Sequence, residues 1–91
     1  MNTYNGWTNY ATWRVNLEMF DSMTVLEFCG RDTVVVSELA AEIKSYAEEM
    51  IEEGSQPGYA RSYAFAFLSD VNWWEIANHM IADYERDQET A

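Results

Sequence analysis

Residues 5–20 read NGWTNYATWRVNLEMF, which is a turn signal followed by one amphipathic run. Gly6 supplies a permissive turn, and either Thr8 or Asn9 can cap the helix that follows. Apolar side chains then recur at helical spacing, which predicts a buried stripe and a first helix that ends near Asp21. The predicted members of the stripe are Tyr10, Trp13, Leu17 and Phe20.

The composition is that of one folded domain. Of the 91 residues, 48% are hydrophobic and 15% are aromatic. This is enough for one core at a size where folding buries about 60% of the surface of the unfolded chain. We expect a single domain over residues 1–91, with an N-terminal arm at residues 1–7 and a polar tail at residues 85–91.

The chain is strongly acidic, with a net charge of −11. Such a field repels nucleic acid and anionic membranes, so we expect neither as a direct partner, and it favours association with basic protein surfaces. The single cysteine, Cys29, cannot form an internal disulfide, and no basic-then-apolar leader precedes the domain. Both features favour a cytoplasmic protein.

The segment after the first helix allows two interpretations. Residues 24–27 read TVLE, which has the form of a capping box, and Gly30 can end a helix, so one short helix is predicted. The alternative is a hairpin with strands at residues 25–29 and 33–36, because three consecutive valines favour extended backbone.

Three further helices are predicted from periodicity and capping signals. The first covers residues 37–53 and begins with Ser37 as its N-cap. The second covers residues 59–68, is apolar on nearly all sides and is expected to form the buried centre. The third begins with Asn72 as its N-cap and has Glu75 three residues later, which is a capping box. The expected inner residues are Leu39, Ile43, Tyr46, Ala47 and Met50 in the first helix, and Val71, Trp73, Ile76, Ala77, Met80 and Tyr84 in or just before the last. The whole pattern predicts an all-α bundle of four main helices and one short helix.

Two strings near the chain ends occur together: YNGWTNYATW at residues 4–13 and SDVNWWEIANHM at residues 69–80. The chain thereby resembles a family of small proteins of unassigned function that are found on bacteriophages, prophages and plasmids. Members of that family usually start with an N-G-W-T-N-Y-E-T-W-like string and end with a V-N-W-x-E-I-A-like string. The resemblance brings no catalytic residues, and it implies that the matching residues set helix starts and core packing. The residues to which we assign such structural roles are Trp7, Thr8, Tyr10, Trp13, Leu17, Asn72, Trp73 and Glu75.

The chain departs from the family string at Ala11, where the family usually has Glu. Ala11 follows Thr8 by three residues, so the change removes the return arm of a capping box at Thr8. The cap itself is expected to survive.

No residue pattern predicts catalysis or a cofactor. Three side chains that could share a metal ion are spaced four residues apart, namely Glu75, His79 and Asp83. All three lie on one helix, however, so no second element would enclose the ion. A solvated face with local carboxylate–imidazole pairing is the favoured interpretation. Cys29 with His79 lacks a third orienting group and an oxyanion site. We therefore expect a protein that is not an enzyme and that has no catalytic site, no bound metal and no cofactor.

The acidic residues of the second half suggest a binding surface. Two pairs of like charges lie four residues apart on one helix, namely Glu38 with Glu42 and Glu49 with Glu53. Each pair destabilises the helix by a few tenths of a kcal/mol. Such carboxylates could substitute for phosphates in a basic nucleic-acid-binding groove, or the charge could serve solubility alone. The predicted partner-binding residues are Glu38, Glu42, Glu49, Glu52, Glu53, Asp83, Asp87 and Trp74.

Charge and resemblance together predict an interaction protein of a phage or other mobile element in the cytoplasm of a bacterial host. Its expected activity is inhibition of a host defence or nucleic-acid-handling system by DNA mimicry, as an anti-restriction or anti-CRISPR factor would act. The expected partner is a host nucleic-acid-binding protein. Aromatic residues outside the predicted stripes, namely Trp7, Tyr59, Phe65 and Trp74, either complete the core or form a protein interface. The alternative function is therefore a small accessory or assembly protein that forms a homodimer through Trp74, Tyr59 and Phe65.

Overall fold

The computed structural model describes residues 3–21, 23–25, 28 and 35–90, with the side chains of residues 87–90 outside the description. Helix α1 spans Tyr10–Val15 and continues as a π-helical segment at Asn16–Phe20. Helices α2, α3 and α4 span Val36–Gly54, Tyr59–Leu68 and Trp73–Thr90. The described residues form no β-sheet, so the predicted all-α class is confirmed.

The segment between the first two helices is described only in part. Val25 and Phe28 are helical, and the Phe28 N–H donates to the Thr24 carbonyl over 3.0 Å, which is the bond of an α-helical turn. Val36 already belongs to α2. The hairpin interpretation is therefore wrong at the described residues of its two predicted strands. Cys29 and Gly30 lie outside the described residues.

The chain enters α1 through a tight turn. Tyr4 and Trp7 exchange two backbone hydrogen bonds of 2.8 Å, and the residues between them have positive φ angles, +48° at Asn5 and +86° at Gly6. The predicted Asn-Gly turn is thus confirmed, and glycine avoids the strain that other residues meet there. The N-cap is Asn9, whose Oδ1 accepts a 2.9 Å bond from the third residue of the capped turn. Of the two predicted candidates, Asn9 is correct.

The buried side of the first helix differs from the predicted stripe. Tyr10 and Leu17 are exposed, and Trp13 is half-buried against the ring of Tyr4, with ring centroids 4.9 Å apart. Only Phe20 of the predicted stripe is fully buried. The residues that face the core are Ala11, Thr12, Val15 and Phe20. Short side chains let α1 approach the start of α4 closely. At 100° per residue Leu17 lies roughly opposite the middle of Ala11, Thr12 and Val15, so it faces solvent, while the i→i+5 bonding of the π-helical segment turns Phe20 toward the side of Val15.

The core lies mainly between α2 and α4. Leu39, Ile43, Ala47, Ile76 and Ala77 are fully buried. Val71 and Met80 are also buried, and Trp73, Tyr46 and Tyr84 pack partly buried against this cluster. The predicted stripe of α4 is therefore confirmed, and that of α2 is confirmed except for Met50, which is 47% exposed.

Two predicted helix ends are wrong. Helix α2 begins at Val36, with Val35 as its N-cap in an extended conformation, so Ser37 lies inside the first turn and does not cap it. The earlier start brings Val36 against the core, which outweighs the capping preference of serine. At the other end, α4 continues to Thr90, so the predicted polar tail from residue 85 is helical through that residue.

Helix α3 is not the buried centre. Only Leu68 in this helix is fully buried, whereas Tyr59 and Tyr63 are 83% and 71% exposed. The ten-residue helix packs by one side against α1 and α2 and leaves its other side in solvent. The apolar sequence of α3 is therefore covered on one side only, and its aromatic residues on the other side remain in solvent.

The guanidinium of Arg61 ties α3 to the end of α2. It donates to the Glu52 carbonyl over 2.7 Å and to the Ser55 carbonyl, while its Nε donates to the Ser55 hydroxyl. The last carbonyls of a helix lack partners within the helix and carry partial negative charge. Arg61 therefore supplies both donors and charge where α2 needs them.

We expect Arg61→Gln to lower the free energy of unfolding by about 1–2 kcal/mol, because it removes a charged donor from those carbonyls. Urea denaturation followed by circular dichroism measures the change. Arg86→Gln is the matched control, since Arg86 pairs with Asp83 on an exposed part of α4, where ion pairs contribute about 0–1 kcal/mol. Equal destabilisation by the two variants would contradict the capping role.

Candidate functional site

The two recognisable strings meet in one hydrogen-bonded cluster, which we name the polar junction. Asn72 caps α4, since its Oδ1 accepts from the Glu75 N–H over 3.1 Å. The Glu75 carboxylate does not complete the predicted capping box but accepts from the Thr8 N–H over 2.9 Å. The backbone N–H of Asn72 donates instead to the Thr12 hydroxyl over 2.8 Å. The starts of α1 and α4 are thus joined directly.

Further bonds complete the polar junction. The Asn9 amide donates to the Asp70 carbonyl over 2.8 Å, and the Asn72 amide donates to the Thr8 hydroxyl over 3.2 Å. No buried side-chain nitrogen or oxygen in the described part of the chain lacks a partner. The junction has a structural role, as the resemblance implied for its residues. Thr12, its fully buried member, was not predicted, because nothing local distinguishes it from an ordinary helical threonine.

The three residues of α4 whose spacing could serve a metal ion have separate contacts. Glu75 is bonded to the arm of the chain, while Nδ1 of His79 lies 3.5 Å from the Asp83 carboxylate on an exposed face. The Trp7 ring packs on His79, with ring centroids 4.6 Å apart. Among the described residues, no group of three or more His, Cys, Asp or Glu side chains is placed to hold a metal ion.

Asp83, a predicted partner-binding residue, lies on α4, apart from the glutamates of α2. It lines a small cleft of about 90 Å³ with Trp7 and with Asp21, at the end of the π-helical segment. Its carboxylate pairs with His79 and Arg86. The side chain of Asp87 lies outside the described residues.

The remaining predicted binding glutamates form one surface, the α2 acidic surface, made of Glu38, Glu42, Glu49, Glu52 and Glu53. At 100° per residue they occupy an arc of about 100° opposite the buried stripe of the helix. All are exposed except Glu42, which is half-buried. The four exposed carboxylates have no partner within the part of the chain that is described. Five charges over about 22 Å of helix give roughly one charge per 5 Å.

A second surface, which sequence reasoning missed in large part, consists of exposed aromatic rings. We name it the aromatic face, made of Tyr4, Tyr10, Tyr59, Tyr63 and Phe67. Tyr59 stacks on Tyr63 with centroids 6.3 Å apart, and Phe67 meets Tyr10 edge-on at 6.2 Å. The signal was present as aromatic residues four apart on a helix without carboxylates. Of the predicted interface aromatics, Tyr59 and Trp74 are exposed, whereas Trp7 and Phe65 pack against the core.

A cleft of about 350 Å³ separates α2 from the end of α3 and the start of α4. Its lining residues are Lys44, Glu48, Phe65, Leu68, Ser69, Val71 and Trp73. Lys44 and Glu48 lie one turn apart on α2, so their opposite charges compensate each other within the cleft. This cleft therefore offers no net charge to select an ionic ligand.

Comparison with known proteins gives one match. The sequence profile of a family of unknown function (DUF7249) matches residues 1–87, which include both end strings and the α2 acidic surface. No curated protein and no solved structure matches the chain. Within the described residues, no helix is both long and apolar enough to cross a bilayer.

Proposed function

The chain belongs to this family of unknown function, DUF7249, and we propose that it is a non-enzymatic interaction protein whose α2 acidic surface binds a basic protein surface. The observation that supports this proposal most strongly is the set of four exposed glutamates that have no partner among the described residues. Helix α2 is packed through fully buried residues on its other side, so the backbone positions from which these glutamates project are fixed relative to one another. A partner therefore orders only their side chains on binding and need not fold the helix.

The charge arrangement of α2 disfavours a role in stability. The helix contains six glutamates and one lysine, Lys44. The pairs Glu38 with Glu42 and Glu49 with Glu53 destabilise it by a few tenths of a kcal/mol each. Lysines at half of these positions would form favourable pairs, so the stability of the helix does not explain the arrangement.

The partner that fits best is a protein that ordinarily binds nucleic acid. One charge per roughly 5 Å along α2 approaches the spacing of about 3.4 Å per phosphate along one DNA strand. A basic groove shaped for a phosphate backbone therefore meets a similar line of charge. The resemblance to proteins of phages and plasmids further supports inhibition of a host defence or nucleic-acid-handling protein, in the manner of an anti-restriction or anti-CRISPR factor, in the bacterial cytoplasm.

The test compares two triple charge reversals with the same change in net charge. The first is Glu38→Lys, Glu49→Lys and Glu53→Lys on the α2 acidic surface. The matched control is Asp21→Lys, Asp70→Lys and Glu85→Lys, at exposed acids elsewhere. We expect the first variant to bind its partner roughly 100-fold more weakly and the control to bind within a few-fold of the native chain.

The measurement is capture of proteins from bacterial lysate at rising salt, followed by binding assays on the captured protein. A partner that engages the α2 acidic surface as a phosphate mimic should be released by salt and by added duplex DNA. If both triple variants lose binding equally, the glutamates of α2 are not a specific binding surface, and their charge serves only a general role such as solubility. Undiminished capture by the first variant would exclude the α2 acidic surface as the binding site.

A further inference from the structure

The aromatic face is the most exposed apolar region among the described residues. Tyr59 and Tyr63 have the highest exposed fractions of all described large hydrophobic side chains. Both point from α3, and Phe67 follows one turn later on the same side of the helix. Since an aromatic side chain can bury about 150–250 Å², the five rings leave roughly 500 Å² of mostly apolar surface in water. Patches of this size are often functional.

An apolar groove lies beside these rings. It has a volume of about 170 Å³ and is formed where α3 meets the first helix and the end of α2. Its floor and walls include Met19, Ile51, Ala64 and Phe67. At the rim, Arg14 and Glu18 form an ion pair of 2.5 Å, and this carboxylate raises the pKa of Arg14 through a hydrogen bond and through charge. The groove is about the size that one benzene ring fills.

Charge restricts what can cover this region. Helix α3 has no acidic residue, and its one cation, Arg61, is bonded to carbonyls at the end of α2. The α3 side is therefore nearly neutral on a chain whose net charge is −11. Two copies of this chain repel each other most when α2 surfaces face each other and least when their α3 helices do.

The shape of the region is also self-complementary. A two-fold interface brings the same patch of both copies together, so the patch must offer both a protrusion and a matching hollow. Tyr63 protrudes near the middle of α3, and the groove beside Ala64 and Phe67 lies within about one turn of it. Antiparallel crossing of two α3 helices can thus place a tyrosine ring of each copy in the groove of the other.

We propose that a second copy of this chain docks on the aromatic face, with the two α3 helices crossing about a two-fold axis near Tyr63. The exposed area falls below the roughly 800 Å² per partner of a typical stable interface, so the dimer is reversible. This homodimer differs from the predicted one, since Phe65 packs against the core and takes no part. The inference does not depend on the proposed function, because the α2 acidic surface and the aromatic face share no residue.

The first test is sedimentation equilibrium of the native chain over a wide range of concentration and salt. We expect a monomer–dimer equilibrium that is strengthened by salt, because salt screens the repulsion between two acidic chains while leaving apolar contacts in place. Binding through the α2 acidic surface should weaken with salt, so the two associations have opposite salt dependence. A native chain that stays monomeric at every concentration would overturn the proposal.

The second test introduces a charge into the interface. Tyr63→Glu should raise the dissociation constant of the dimer by roughly 100-fold, because a two-fold axis places the substitution in the interface twice. Trp74→Glu is the matched control, since Trp74 is an aromatic residue that is 54% exposed on α4. Equal loss of dimer in both variants would contradict the assigned surface. If the native chain is monomeric and Tyr63→Glu instead loses a captured host protein, the occupant is a different partner and the proposal is wrong.

A cross-linking test does not depend on the stability of a charged variant. In a chain that carries Cys29→Ser, Tyr63→Cys places a thiol near the proposed axis of each copy. With an added oxidant, we expect a disulfide-linked dimer to form at least 10-fold faster than with Trp74→Cys at the same concentration. Equal rates for the two positions would mean random collision and would overturn the two-fold contact.

Discussion

We expect Thr12→Val to lower the free energy of unfolding by about 2–4 kcal/mol, although the new side chain has nearly the same shape. The Thr12 hydroxyl is fully buried, donates to Asn9 Oδ1 over 2.7 Å and accepts from the Asn72 N–H over 2.8 Å. Valine removes both bonds and leaves the Asn72 N–H without its partner at the start of α4. An unsatisfied buried donor destabilises a protein more than a lost surface bond does.

Thermal unfolding provides the measurement for this variant. In a domain of this size, 1 kcal/mol shifts the melting temperature by about 4–8 °C, so a decrease of roughly 10–25 °C is expected. Thr12→Ser keeps the hydroxyl and loses only a methyl group, so it should retain most of the stability. Thr8→Val is a second control, because the Thr8 hydroxyl accepts a bond at an exposed site. If Thr12→Val melts within 3 °C of the native chain, the hydroxyl does not join the two helices.

The polar junction illustrates how far local sequence signals extend. Asn72 was predicted as the cap of α4 because its role depends on residues three positions away, and the structure confirms it. The partner of Glu75 was predicted wrongly, because the competing Thr8 N–H lies 67 positions earlier in the chain. The role of Thr12 was missed for the same reason. Caps follow from neighbours in sequence, whereas bonds between helix starts require knowledge of which helices meet.

The two candidate surfaces differ in the same way. The α2 acidic surface was predicted correctly as one face, because helical periodicity alone places its glutamates opposite Leu39 and Ile43. The surroundings of Asp83 could not be predicted in this way, since they depend on how α4 packs against the first helix. Helix α3 was placed in the core because its sequence is apolar, and no periodic signal separates a buried helix from one that binds a partner.

The second large effect concerns the interior of α2. Leu39→Ala should lower the free energy of unfolding by about 2–5 kcal/mol, because Leu39 is fully buried in the core between α2 and α4 and alanine leaves a cavity there. Alanine is also the best helix former, so any loss of stability arises from packing and not from the helix itself. Urea denaturation gives the free energy, and an unchanged slope with urea would show that the two-state transition is retained.

Met50→Ala is the matched control for Leu39→Ala, because sequence periodicity placed both residues on the same inner stripe. Met50 is 47% exposed, so its truncation should change the free energy of unfolding by less than about 0.5 kcal/mol. The two variants thereby distinguish the observed packing of α2 from the one that periodicity alone predicts. Similar losses at the two positions would mean that the C-terminal half of α2 is covered at Met50 as completely as its first turns are at Leu39.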